Sequence, residues 1–130
     1  MFAILKRLEK PYKFSRTTRI KMLCTPLLFF VLLGIMSNIY RPYIYSHGIY
    51  DFHIADTFSD LLLVPTCFCF VCALEKEINV RIETGILAEV IVLVFVEVID
   101  SPIDYYDALA AIISGIITTI AIRKVFPDWR

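Results

Sequence analysis

The chain has few of the features that mark soluble enzymes. No stretch is both long and polar enough to form a separate soluble domain, and there is no internal repeat or low-complexity tract. The 130 residues therefore make one domain. There is no G-x-S-x-G, no H-E-x-x-H, no glycine-rich phosphate loop and no plausible Ser–His–Asp set. Those absences leave the common hydrolase, zinc-protease and nucleotide-binding chemistries without residues, so no catalytic site is expected. The apolar runs show no two-residue alternation of polarity, which excludes a transmembrane barrel. Nothing points to nucleic acid as a partner.

What is present in excess is apolar side chain. Hydrophobic residues make up 58% of the chain, and the mean hydropathy is +0.72. Four runs approach the roughly twenty residues that match the hydrocarbon thickness of a bilayer. They are Met22–Tyr40, Thr57–Leu74, Thr84–Ile99 and Ala108–Ile122. The expectation is an all-α polytopic membrane protein with four transmembrane helices, at about 22–40, 57–74, 84–100 and 106–122. Residues 1–21 form a basic segment, 22–122 the membrane domain and 123–130 a tail. The first run has a long apolar core, is preceded by a long charged stretch and is followed by "GIMSNIYRPY", which offers no A-x-A-like cleavage site. It reads as a retained signal anchor.

The net charge is zero, yet the charges are segregated. Lys6, Arg7, Lys10, Lys13, Arg16, Arg19 and Lys21 precede the first run. Lys76 and Arg81 lie between the second and third, and Arg123, Lys124 and Arg130 follow the fourth. Four spans put all three regions on one side, which the positive-inside rule makes cytoplasmic, with both termini inside. Trp129 suits an interfacial anchor. The opening "MFAILKRLEKPYKF" has two readings, a short helix on the inner leaflet ending near Pro11 or a plain basic tail. Glu77 and Arg81 are four apart and would pair on a helix.

Glu9, Glu75, Glu77, Glu83 and Asp128 lie among the basic residues on that side, and seven other acids collect at the opposite face. Asp51, Asp56 and Asp60 lead into the second span; Glu97 and Asp100 end the third; Asp104 and Asp107 start the fourth. Asp56 and Asp60 share a helical face, as do Glu97 with Asp100 and Asp104 with Asp107. Pro102 marks the short connection that makes the third and fourth spans neighbours. Like charges brought this close repel, which favours protonation of one acid or capture of a cation. The alternative is a solvated rim with Asp107 as a helix cap. Glu89 lies inside its span, where an ionisable group is costly and faces a protein interior, a water cavity or a partner.

The other features read as structure. Cys24, Cys67, Cys69 and Cys72 all lie in apolar runs, so no disulfide framework is implied. "CFCFVC" does not converge on one helical face and reads as packing, not a zinc site. Pro26 and Pro65 sit inside spans, where prolines are tolerated and mark kinks. Ser114, Gly115, Thr118 and Thr119 give the fourth span a small face for close packing. His47, Asp51, His53 and Asp56 are weak candidates for a metal, and the tyrosines around them form an aromatic belt.

The two segments "SDLLLVPTCFCFV" and "VEVIDSPIDYYDALAAIISG" resemble the VanZ-like family of small bacterial membrane proteins. That family shows an Asn-led apolar run with Pro, then Glu-x-x-Gln, then D-x-x-D opening the last helix. Asp60 stands near the Asn place with Pro65 after it; Glu97 matches the Glu; Asp104 and Asp107 match D-x-x-D. Asp100 replaces the usual Gln, the Arg before D-x-x-D is absent, and Ala111 stands where Asn is usual. The resemblance covers roughly residues 50–122. It implies a helical bundle in the bacterial cytoplasmic membrane, linked to glycopeptide resistance. The combined expectation is an envelope protein that binds a cation, or a polar lipid or glycopeptide group, through Asp60, Glu97, Asp100, Asp104 and Asp107. The cofactor expectation is none, or a divalent cation. A small secondary transporter, an oligomeric pore and an accessory subunit of a larger membrane complex are the alternatives, and the bilayer is a partner in every case.

Overall fold

A computed structural model of the protein describes residues 7–99, 105–126 and 129, the first four of these as backbone only. The element order is β1 (Arg7–Lys13), α1 (Arg16–Ile35), a π-helical turn (Met36–Tyr40), α2 (Arg41–His47), α3 (Ile54–Leu74), β2 (Glu77–Val80), α4 (Ile82–Ile99) and α5 (Tyr105–Val125). Among the described residues, three helices are long and apolar enough to cross a membrane: the continuous rod Arg16–His47, α3 and α5. The fourth expected span, α4, has 18 residues and a strongly apolar sequence, but Glu83, Glu89 and Glu97 interrupt it.

The first rod is longer than the apolar run that announced it. Ser15 caps it, accepting the Thr18 N–H at 3.1 Å. The rod then runs 32 residues to His47, roughly 48 Å at about 1.5 Å per residue. Its winding widens just before Pro42. Proline has no N–H to return to the carbonyl four residues back. The helix relaxes there, and the Arg41 N–H reaches the Met36 carbonyl five residues away.

α3 packs between α1 and α5, and α4 packs mainly on α5. The α3–α5 contact rests on a complementary pair of defects. Pro65 cannot bond the carbonyl of Leu61, four residues earlier. The Ser114 hydroxyl of α5 donates to that same carbonyl at 2.5 Å. Ala110, Ala111, Ser114 and Thr118 form the buried, small face that allows the approach. Gly115 faces α4, and a Cβ placed on it would come within 2.5 Å of Val90 Cγ2. The small face expected of α5 thus serves two neighbours.

At the end of the bundle where α3 and α5 finish, the structure departs from an all-helical chain. β1 and β2 form a two-stranded antiparallel sheet, with Tyr12 opposite Ile78 and Lys13 opposite Glu77. Arg7–Lys13 are therefore strand, and the interfacial helix considered for this segment does not extend over them. Pro11 lies in the irregular part of the register, as a residue without a ladder donor must. The helical Glu77–Arg81 pair is also overturned. Glu77 is in a strand, and its carboxylate lies 3.7 Å from Lys13 Nζ.

Trp129 is another correction. It does not face an interface but is 1% exposed. Its ring stacks between those of Tyr12 and Phe68, with Phe14 and Phe126 edge-on, and its indole N–H donates to Val80 O at 3.1 Å. The tryptophan finds a donor site only because β2 supplies a carbonyl above the aromatic cluster. Arg19 holds the same end, donating to the terminal carbonyls of α3 at Ala73 (3.0 Å) and Leu74 (3.3 Å). Glu83 accepts from Arg123 Nε at 2.7 Å and also from its terminal nitrogen. Partial burial opposes ionisation of Glu83, but the bonds from Arg123 and its charge prevail and hold the carboxyl below its usual range.

Two measurements check this packing. Ser114→Ala strands the Leu61 carbonyl and lowers stability by about 1 kcal/mol. In a Pro65→Ala background the helix supplies its own N–H, and the same substitution costs much less. A full loss in both backgrounds, read by unfolding in detergent, contradicts the pairing. The Glu83–Arg123 contribution is at most about 1 kcal/mol, because both groups are partly exposed. It is complete above the unfolded carboxyl pKa of about 4.3 and disappears as pH falls through the lower folded value. The gap in thermal midpoint between wild type and Arg123→Gln is therefore expected at pH 7 and closes below about pH 4.

Candidate functional site

The end of the bundle opposite the sheet gathers acids from three helices. Asp60 lies near the start of α3, Glu97 near the finish of α4 and Asp107 in the first turn of α5. All three are half-buried. The carboxyl groups of Asp60 and Asp107 are hydrogen-bonded to each other, and Glu97 lies within electrostatic range of Asp60. Ser59 adds a donor, its hydroxyl lying 3.3 Å from Asp60 Oδ2. The other two residues expected here, Asp100 and Asp104, lie outside the described residues.

The nearby candidates for a metal have other occupations. Arg41 donates to Asp56 Oδ1 at 3.0 Å, the Tyr45 hydroxyl donates to the same oxygen, and the guanidinium sits 5.6 Å from the Tyr45 ring centre. Asp51 caps α3, its Oδ2 accepting the Ala55 N–H at 2.7 Å. His47 Nδ1 lies 2.9 Å from the Tyr43 carbonyl. The His53 ring stacks on Tyr106 at 4.4 Å, and its Nδ1 is 3.9 Å from Asp56. His47, Asp51, His53 and Asp56 are thus dispersed into capping, stacking and an ion pair. Among the described residues no three His, Cys, Asp or Glu side chains form a group suited to a metal.

Glu89 is separate from the cluster. It lies midway along α4, half-buried, and is hydrogen-bonded to the Cys67 thiol of α3. Its Oε1 is shielded from solvent and has no partner among the described residues. Glu89 thus turns toward α3, and Glu97, eight residues on, lies within electrostatic range of Asp60 of α3. Sequence reasoning missed the Cys67 contact. A thiol in an apolar run gives no sign of its partner until two helices are placed side by side.

A groove of about 920 Å³ lies along α3 and α4. Cys67, Phe68 and Val71 form one wall and Ala88, Glu89 and Val92 the other, and Trp129 with β2 closes the sheet end. It exists because α3 and α4 meet each other far less than either meets α5. The chain matches no protein-family model, no curated protein and no solved structure.

The Asp60–Asp107 contact has a direct test. Asp60→Asn and Asp107→Asn each alter one shared bond, so their stability effects are not additive. A double-mutant cycle in detergent is expected to give a coupling of about 0.5–3 kcal/mol. Additive effects contradict the contact.

Proposed function

We propose that this is a multi-pass protein of the bacterial cytoplasmic membrane, similar to the VanZ-like family. It crosses the bilayer four times with both termini inside and holds a cation, or the cationic part of a polar lipid or glycopeptide, at an exoplasmic acidic site. The observation that carries the reading is the meeting of Asp60, Asp107 and Glu97 from three different helices at one end of the bundle.

Several features support the topology. α4 has 18 residues, about 27 Å of helix and close to the hydrocarbon thickness. Two of its acids face α3 and the third pairs with Arg123, so none must face lipid. The outward faces of the helices carry large apolar side chains, including Leu27, Phe30, Ile91, Phe95, Ile116 and Ile117, an arrangement suited to acyl chains and not to water. Arg19, Arg81, Arg123 and Lys124 lie toward the sheet end, which the positive-inside rule makes cytoplasmic. Arg41, at the acidic end, is committed to Asp56.

The cluster can bind a cation through the Asp60 and Asp107 carboxyl groups, which lie against each other, while Asp100 and Asp104 lie close by in sequence. The position of Glu89 favours a second reading, a small secondary transporter or an oligomeric pore. So few helices enclose little space, so that activity needs a homo-oligomer or a larger membrane complex.

The primary reading predicts that millimolar calcium or magnesium raises the thermal midpoint of the purified protein. Saturation at about 100 times the dissociation constant stabilises by about 2.7 kcal/mol. The Asp60→Asn/Asp107→Asn double variant is expected to show no shift. An unresponsive wild type, or an equal response in the double variant, removes the proposal.

A further inference from the structure

The groove between α3 and α4 is chemically distinct from the acidic end, and no role above accounts for it. Its walls are largely apolar, yet the Glu89 carboxyl lies in one of them. The Cys67 thiol is a weak donor and serves only part of that carboxyl. Oε1 is cut off from water and has no partner among the described residues. An ionised carboxylate in such surroundings is poorly compensated. A cation would compensate it, and the apolar walls restrict which kind. A hydrated metal ion or a compact ammonium would lose its water shell against Phe68, Val71, Ala88 and Val92. A cation whose charge is spread over, or shielded by, hydrocarbon would not.

The groove volume of about 920 Å³ falls within the range usual for drug-sized ligands. Its charged rim at the sheet end comprises Glu75, Glu77 and Arg81. Glu77 is shared with Lys13 at 3.7 Å. Glu89, midway along α4, is the groove acid farthest from these charges along the helix, and Arg81 lies beside β2.

We propose that the α3–α4 groove binds a lipophilic organic cation, with Glu89 as the counter-charge and the apolar walls as the solvent for its substituents. The inference stands on residues separate from Asp60, Glu97 and Asp107, so it and the acidic-site reading can fail independently.

The protein carries its own reporter. Trp129 is the single tryptophan of the chain and lines the groove. Tetraphenylphosphonium is expected to quench its fluorescence saturably in detergent. Glu89→Gln should weaken binding at least tenfold and Glu89→Asp should retain most of it. Ala88→Phe, which fills the groove, should abolish it. Triphenylphosphine oxide, neutral and similar in shape, should compete poorly. Three results overturn the proposal: no saturable quenching in wild type, unchanged affinity in Glu89→Gln, or equal binding of the neutral compound, which would make the groove a cleft for lipid chains. If Glu89→Gln does not yield folded protein, unchanged binding in Ala88→Phe overturns it on its own.

Discussion

A single carbonyl organises the helices. Pro65 leaves the Leu61 oxygen without its intrahelical donor, and Ser114 provides one from α5. In a bilayer no water is available to do so, and an unsatisfied backbone group inside hydrocarbon is costly. The bond therefore sets how α5 lies against α3. Once it is made, Ala110, Ala111 and Thr118 pack on the same side, and Gly115 is left to receive α4 through Val90. The positions of Asp60 and Asp107 follow from that arrangement, because each lies within two helical turns of the bonded residues on its own helix.

The two ends of the bundle solve different problems. At the sheet end the chain closes itself: Trp129 is clamped among Tyr12, Phe14, Phe68 and Phe126, and Arg19 and Arg123 attach the helix ends to neighbours. The bonds there are neutral or charge-balanced. At the acidic end, by contrast, Asp60, Asp107 and Glu97 face one another.

The carboxylates differ because their partners differ. Asp56 has Arg41, Glu83 has Arg123 and Glu77 has Lys13. Asp51 has a helix terminus. Asp60 and Asp107 have each other, and Glu89 has a thiol. Only the last two arrangements leave room for a ligand to improve on what the protein provides.

Much of this was legible in the order of the residues. The apolar runs, the charge segregation and the collection of acids at one side follow from helical geometry and bilayer thickness, which act locally. The small face of α5 was likewise visible, since residues spaced by three or four share a side. The sheet was not visible: β1 is a basic tail and β2 a short polar link, and each becomes a strand only when the other lies beside it. Trp129 looked like an anchor for the same reason, because its acceptor at Val80 is distant in sequence. The pairing of Asp56 with Arg41 depends on the fold of the loop before α3. The sequence by itself determined that the chain is helical, apolar and acidic at one edge, because those properties depend on side-chain type and spacing. Which acids meet, which are neutralised, and where a groove opens beside Glu89 were decided by tertiary structure, because each depends on what a second helix brings within a few ångströms.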